Sequence, residues 1–560
     1  MRLLSILLVF FVFISCKEKY DVIIRNGTVH DGTGAPGLRV DIGIRADTIA
    51  FIGDLSGSSA NVEVDATEKA VTPGFINMLS WAVESLIIDG NGESDIRQGV
   101  TLEVFGEGMT LGPLNEAMKS EMTKSMKRNP DFAYDITWTT MGQYMDALAA
   151  KGISPNIASF VGATTVRVHE LGYANRTATA EEMDRMKALV KTAMEEGALG
   201  VGSSLIYAPA NYAPTEELIE LCKVAGEYGG MYITHMRSEG NGMLEAVDET
   251  IRISREAGLP AEIYHLKFSG KQNWNKIDTV IAMIDKARKE GLRITADMYT
   301  YPAGATGLDA TMPPWIQEGG LNQWIARLKD PVTRARALKE MRTPTNKWEN
   351  LMLLAGDPEK VLLLDFANDS LRKLFVGKTL GYAAKMYGKS PEETAMDLVI
   401  TDSTRVGTAY FLMNEENMKR QFKLPYVSLG SDAAAPSLDA KFTRAAEHPR
   451  AYGNFARFLA RYFREEKLFS FEEAVRRLTS LPAENIGVKK RGKLAVGYYA
   501  DINVFDPEQI YDHATFEKPH QYSTGMSHVF VNGVQVLKDG EHTGARPGRF
   551  VKGPGYKSNP

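Results

Sequence analysis

Residues 231–235 read Met-Tyr-Ile-Thr-His, and residues 262–265 read Glu-Ile-Tyr-His. Each is a short run rich in aromatic and β-branched residues, and each ends on a histidine. Similar runs lie on both sides: Gly74–Leu79, Val100–Phe105, Asn156–Val161, Leu199–Ser204, Arg293–Met298 and Tyr426–Gly430. Helix-like stretches fall between them, such as Ala180–Glu196 and Pro214–Tyr228. Eight strands alternating with helices predict an α/β fold, a (β/α)8 TIM-type barrel over residues 73–487. The rival is an open Rossmann-like sheet, but no Gly-rich dinucleotide fingerprint follows an early strand. Between Met312 and Gly377 the alternation breaks down, and that stretch reads as a helical insertion near the barrel mouth.

The chain ends read differently. Asp21–Arg25, Val40–Ile44 and Thr48–Ile52 are short strand-like runs separated by turn residues, and Asp501–Phe505 and Val529–Gly533 repeat the pattern. Residues 20–72 and 488–550 therefore predict one small composite β-sandwich built from both ends. At the start, Leu3 to Ile14 form an apolar run behind Arg2, too short to span a bilayer and typical of a signal peptide. It ends Phe13-Ile14-Ser15-Cys16, which resembles a bacterial lipobox with Phe13 where leucine is usual. The expectation is a signal over residues 1–16, a lipid anchor at Cys16 and a place in the cell envelope, periplasmic or surface-exposed. An ordinary signal peptide with an incidental cysteine is the alternative. No other membrane contact is expected.

Composition narrows the function. The chain has 560 residues, 24% of them charged, and a net charge of −5. Lys and Arg are scattered, so there is no basic footprint for nucleic acid. Two cysteines are too few for a disulfide framework or a Cys-rich zinc fold. Cys222 sits in an apolar helical stretch and reads as a core residue.

In a barrel the C-terminal ends of strands face the active site. His235 and His265 stand at two such ends, where paired imidazoles suit a metal, although core or surface positions suit them equally. Asp432 follows the last strand in Leu-Gly-Ser-Asp. It fits a metal ligand, a proton acceptor or a helix N-cap. Glu107 lies between Gly106 and Gly108, just past the second strand. Glycines there let backbone approach a ligand, and the carboxylate suits a metal as well as a plain loop. Lys267, two residues after His265, together with Arg450 and Tyr207, would suit an anionic substrate. Surface charge or aromatic packing explains those three as simply.

Taken together, these residues resemble the D-aminoacylase (N-acyl-D-amino-acid deacylase) branch of the amidohydrolase superfamily. The resemblance runs over nearly the whole mature chain. It rests on Val22-Ile-Ile-Arg-Asn-Gly-Thr-Val29, Thr72-Pro-Gly-Phe-Ile76, Arg97-Gln-Gly-Val-Thr101, Ser204-Leu-Ile-Tyr-Ala-Pro209, Thr234-His-Met-Arg-Ser-Glu-Gly240, Gly430-Ser-Asp432, His448-Pro-Arg-Ala-Tyr-Gly453 and Ala500-Asp-Ile-Asn-Val-Phe505. It implies a barrel with a composite β-sandwich and zinc held by His235 and His265. It implies Asp432 as the catalytic acid/base, and Lys267, Arg450 and Tyr207 on the substrate carboxylate.

Two departures stand out. The superfamily carries His-x-His after the first strand, where this chain has Leu79 and Trp81. The family's cysteine ligand falls at Gly108, with Glu107 beside it. One metal subsite is therefore lost, and Glu107 with His235 and His265 forms a mononuclear set with one position open. Trp81 would narrow the pocket and alter acyl preference. The expected function is hydrolysis of the amide bond of N-acyl (D-)amino acids, with one Zn2+ per chain and Asp432 moving the proton. The alternatives are a degenerate barrel that only binds, or a hydrolase of dipeptides or cyclic amides.

Overall fold

The structure is a computed structural model that describes residues 19–127 and 130–557. The signal segment and Cys16 lie outside the described residues. Eight strands form the central element: β1 (Phe75–Asn77), β2 (Val100–Phe105), β3 (Asn156–Ser159, resumed after Phe160 as Val161–Gly162), β4 (Gly200–Ser204), β5 (Met231–His235), β6 (Ala261–Ile263), β7 (Ile294–Met298) and β8 (Val427–Leu429). Each pairs in parallel with the next. The ring closes where Met78 N donates to Leu429 O (3.1 Å) and Asp432 N to Leu79 O (2.8 Å). Helices intervene between most successive strands, including Ala180–Glu196 and Thr215–Glu227. The long stretches already predict these two, because each carries an apolar face and a strong start. Thr179, for example, forms a reciprocal capping box with Glu182.

The barrel interior is packed, as side-chain alternation along strands requires. Ile76, Leu102, Val104, Ala158, Phe160, Ile233 and Tyr264 form one buried cluster with Ala483 and Ile486. The helix Ser480–Asn485 lies at the N-terminal end, where Glu484 O accepts from Arg293 just ahead of β7. The same rim is crossed by the last described residues: Gly548 N bonds Ile153 O, Val551 N bonds Ile157 O and Gly553 N bonds Gly197 O. Both layers thus close the end opposite the candidate site.

The chain ends make two sheets. One has four strands, Lys19–Arg25, Asp41–Arg45, Thr48–Gly53 and Ser59–Asp65. The other has seven, drawing Thr28–Val29, Leu38–Arg39 and Ala70–Pro73 from the N-terminal part and Ile502–Phe505, Met526–Val531, Val534–Lys538 and Glu541–His542 from the C-terminal part. Ile24, Ile42, Ile44, Val64, Val71, Ile502, Val504 and Phe530 fill the space between them. Thr543 still bonds Val536 and Gln535 of the sandwich, and by Gly548 the chain lies on the barrel rim.

The excursion between β7 and β8 is wider than residues 312–377 and is not purely helical. It runs from Tyr299 to Tyr426. It contains a three-stranded antiparallel sheet (Ala303–Gly307, Gly407–Phe411, Val361–Asp365) as well as helices. The first of those strands reads Ala-Gly-Ala-Thr-Gly, which lacks the β-branched signature. Cross-strand pairing, not local propensity, makes it a strand. Among the described residues no helix is long and apolar enough to cross a membrane.

One buried pair beneath the site makes stability pH-dependent. Glu262 faces inward beside Ile233 and Thr295 by register. Burial, then the nearby Asp297 carboxylate, pushes the Glu262 carboxyl up to about 8. The folded state therefore holds this proton more tightly than an unfolded glutamate does. The stability it contributes is present near pH 4 and lost as pH rises toward 8. Thr295 Oγ1 and Asn485 Nδ2 both donate to Glu262 Oε2, and an amide oxygen accepts both equally well. Glu262→Gln is expected to raise the thermal midpoint at pH 8.5 and leave it unchanged at pH 4.5, by calorimetry; an equal change at both values would refute this.

Candidate metal and hydrolytic site

The turn after β2 delivers Glu107. Gly106 and Gly108 have φ of +111° and +75°. A Cβ at Gly106 would lie 2.6 Å from Phe160 O, and one at Gly108 would lie 2.7 Å from Ser204 Cβ. The glycines therefore serve close approach to β3 and β4 rather than to a ligand. Position 108 thus has no room for a side chain without a shift. The carboxylate one residue earlier points inward and is buried.

Glu107 Oε1 lies 2.8 Å from His235 Nδ1 and 3.2 Å from His265 Nε2. The two imidazoles stand edge to face with centroids 4.5 Å apart. One ligand atom from each of the three residues lies within 4.8 Å of the others, and all three side chains are buried. Two imidazoles and a carboxylate form a known three-ligand zinc set. The site also leaves His235 Nε2 and His265 Nδ1 without hydrogen bonds. The donor set and its enclosure fit a metal ion.

Trp81 does not simply fill a vacated subsite. Its indole Nε1 donates to Glu107 Oε2 at 2.9 Å, while the ring stays 43% exposed at the mouth. That bond fixes one carboxylate oxygen and turns the other toward the histidines. Leu79, the other replaced position, is fully buried.

A residue that sequence reading passed over closes the opposite side. Glu239 Oε1 is 3.0 Å from His265 Nδ1, out of line for a hydrogen bond, and Glu239 Oε2 is 3.6 Å from His235 Nε2 and 3.1 Å from Lys267 Nζ. It lies four residues after His235 inside the quoted Thr-His-Met-Arg-Ser-Glu segment, so only its spacing offered a signal. The long excursion holds it in place: Glu349 accepts from Glu239 N (2.9 Å) and from Ser238 Oγ (2.8 Å).

The electrostatics follow from two carboxylates bracketing two imidazoles. Burial alone would raise Glu107, but the hydrogen bonds from His235 and His265 outweigh it and hold the carboxyl well below the usual range. Glu239, buried against the same rings and Lys267, is held down to about 2. Burial opposes charge on both histidines. His265, closer to Glu239, is nevertheless raised to about 10, whereas His235 is lowered.

Asp432 stands across from this cluster, its Oδ2 4.0 Å from His265 Nε2 and 2.8 Å from Arg450 Nη1. It caps no helix; the next one begins at Arg450. Both His265 (φ +30°) and Asp432 (φ +51°) adopt backbone conformations unusual for side-chain-bearing residues. Asp297 Oδ1 holds His265 N (2.9 Å), and Leu79 O holds Asp432 N. Asn77 braces the Asp432 turn, its Oδ1 accepting from Ser431 N at 2.8 Å. Strain fixed in this way recurs at functional sites.

Lys267 and Arg450 both stand over the Tyr299 ring, at 5.8 and 4.6 Å from its centroid. Tyr299 is a second residue that sequence reading did not single out. Tyr207 packs edge-on against His235 (5.5 Å), with the Arg405 guanidinium 5.0 Å from the Tyr207 ring centroid. All seven residues singled out from sequence, Glu107, His235, His265, Lys267, Asp432, Arg450 and Tyr207, thus gather at the C-terminal end of the barrel. Cys222 is buried elsewhere, where burial pushes its thiol up.

Comparison with known proteins gives the lineage. The chain is 32% identical over 538 residues to the D-aminoacylase of Alcaligenes xylosoxydans xylosoxydans, covering 96% of this chain and 98% of that one. It belongs to the D-aminoacylase family of amidohydrolases. A family model described as an amidohydrolase family matches residues 427–537. A solved D-aminoacylase, described as having a binuclear metal centre with one-metal activation and second-metal attenuation, superposes with a TM-score of 0.78 at 33% identity, covering 95% of this chain and all of that one. N-acyl-D-glutamate deacylase from Bordetella bronchiseptica, solved with zinc and a phosphonate mimic of the tetrahedral intermediate, gives 0.78 at 29% identity, covering 96% of this chain and all of that one.

Proposed function

We propose that the protein is a zinc-dependent hydrolase that cleaves the amide bond of N-acyl-D-amino acids. The observation that carries the reading is the convergence of His235 Nδ1 and His265 Nε2 on Glu107 Oε1, with Asp432 4.0 Å from His265. Glu107, His235 and His265 would hold the zinc. When bound, zinc supplies Lewis acidity toward the acyl carbonyl and lets water ionise near neutral pH. Asp432 accepts the proton of the attacking water and returns it to the nitrogen of the leaving amine. Lys267, Arg450 and Tyr207 hold the substrate carboxylate, which fixes the scissile bond relative to Asp432. Glu239, 3.1 Å from Lys267 Nζ, keeps the lysine charged.

The test is a panel of N-acetyl-D-amino acids, their L-enantiomers, dipeptides and cyclic amides, assayed with zinc-loaded protein. Turnover confined to the N-acyl-D-amino acids supports the reading; turnover of cyclic amides or dipeptides alone would replace it. We further propose that the chain is exported and lipid-anchored through Cys16 in the cell envelope. Support comes from the Leu3–Ile14 run and the Ser15-Cys16 pair. Cys16→Ser should move the protein from the membrane to the soluble fraction, and unchanged membrane association would refute the anchor.

A further inference from the structure

We propose that Arg450 locks Asp432 in the free enzyme and that the carboxylate of the incoming ligand releases it. The inference rests on the N-acyl amino acid reading above and adds a coupling between the two halves of the site. Arg450 Nη1 lies 2.8 Å from Asp432 Oδ2, and both residues are buried. That oxygen is also the one 4.0 Å from His265. The guanidinium is therefore ion-paired with the carboxylate that must receive a proton from water, with no N–H of Nη1 aimed along the contact. Lys267 is held in the same way by Glu239 at 3.1 Å. Neither cation meant for a carboxylate is free before one arrives.

The surroundings show where that carboxylate would go. Arg450 Nε and Nη1 and the Tyr299 hydroxyl are buried without any hydrogen-bond partner. Lys267 and Arg450 share the Tyr299 ring. Gly304 lies beside them: a Cβ there would sit in ordinary van der Waals contact, 3.4 Å from the Tyr299 hydroxyl and 4.0 Å from Lys267 Nζ. Unpaired buried donors are costly. A carboxylate offers two oxygens, and a guanidinium prefers such a bidentate partner. Its arrival draws Arg450 from Asp432 and leaves the aspartate oxygen open to water. Binding energy from a non-reacting part of the ligand is thereby spent on catalysis, so a ligand lacking that part loses kcat as well as affinity.

Two measurements on the zinc-loaded full chain test the lock. In calorimetric titration with acetate, Asp432→Asn should bind about fivefold tighter or better, because Arg450 is no longer held back, and Arg450→Gln about tenfold more weakly. An unchanged or weaker acetate affinity in Asp432→Asn, or an unchanged one in Arg450→Gln, overturns the proposal. This arm needs no turnover, so it decides the lock even if no N-acyl amino acid is a substrate. In the kinetic arm, Arg450→Gln should raise turnover of a neutral N-acetylalkylamine about tenfold while lowering that of the N-acyl amino acid. Added acetate should likewise stimulate wild-type turnover of the neutral amide. A fall on both substrates in Arg450→Gln is what a purely structural arginine would produce, and it would overturn the lock.

Discussion

Replacing Glu107 by alanine is expected to weaken zinc binding by at least a hundredfold, about 3 kcal/mol, and to abolish hydrolysis at limiting zinc. The reasoning is geometric. Among the described residues Glu107 is the only carboxylate with one oxygen within 3.2 Å of a nitrogen of both histidines, at 2.8 and 3.2 Å. Removing it leaves two imidazoles, and two ligands do not retain zinc against a chelator. Trp81→Phe removes only the indole donor to Glu107 Oε2 and should weaken zinc by about tenfold, as orienting partners of metal ligands do. Competition with a chromophoric chelator measures both. Zinc retained at wild-type affinity in Glu107→Ala would remove the residue from the metal site. Histidine ligands supplied by His235 and His265 alone would then have to be completed from the Glu239 side.

Asp432→Asn is expected to lower kcat by about a thousandfold while leaving the zinc content at its wild-type level. The asparagine keeps the side-chain shape and tolerates the φ of +51° found here. The Leu79 O bond to the residue 432 amide, which closes the barrel, also survives. What is lost is an acceptor that can hold a proton between the attack of water and the departure of the amine. The two variants therefore separate by metal analysis: Glu107→Ala loses zinc and activity together, and Asp432→Asn loses activity alone. A kcat within tenfold of wild type in Asp432→Asn would assign the proton transfer to another group.

The barrel was readable because its strands carry their own signal. Met231–His235 and its seven counterparts are short, apolar and regularly spaced between helices, and the two histidines end adjacent strands. Barrel topology then places strand ends at one face without any knowledge of contacts. The excursion between β7 and β8 was less readable, because strands such as Ala303–Gly307 have little intrinsic β preference. Asp432 could be read locally as a helix cap, and only the fold shows that no helix follows it directly. Glu239 was also hidden, since its worth lies in distances to His265 and Lys267 rather than in any motif.

By itself, the sequence determined the architecture and the identity of the chemical groups at the mouth: two imidazoles, an aspartate after the last strand and cations suited to an anion. It also showed that the usual first-strand histidines are absent. The tertiary structure alone decided how the remaining groups are joined. Glu107 and His265 are 158 positions apart, yet one carboxylate oxygen serves both histidines while the other is held by Trp81. Arg450 rests on Asp432 and Lys267 on Glu239 for the same reason. Periodicity and propensity are local properties of a chain. Ion pairs and ligand sets depend on ångström-scale separations between distant segments, and these exist only once the barrel has closed.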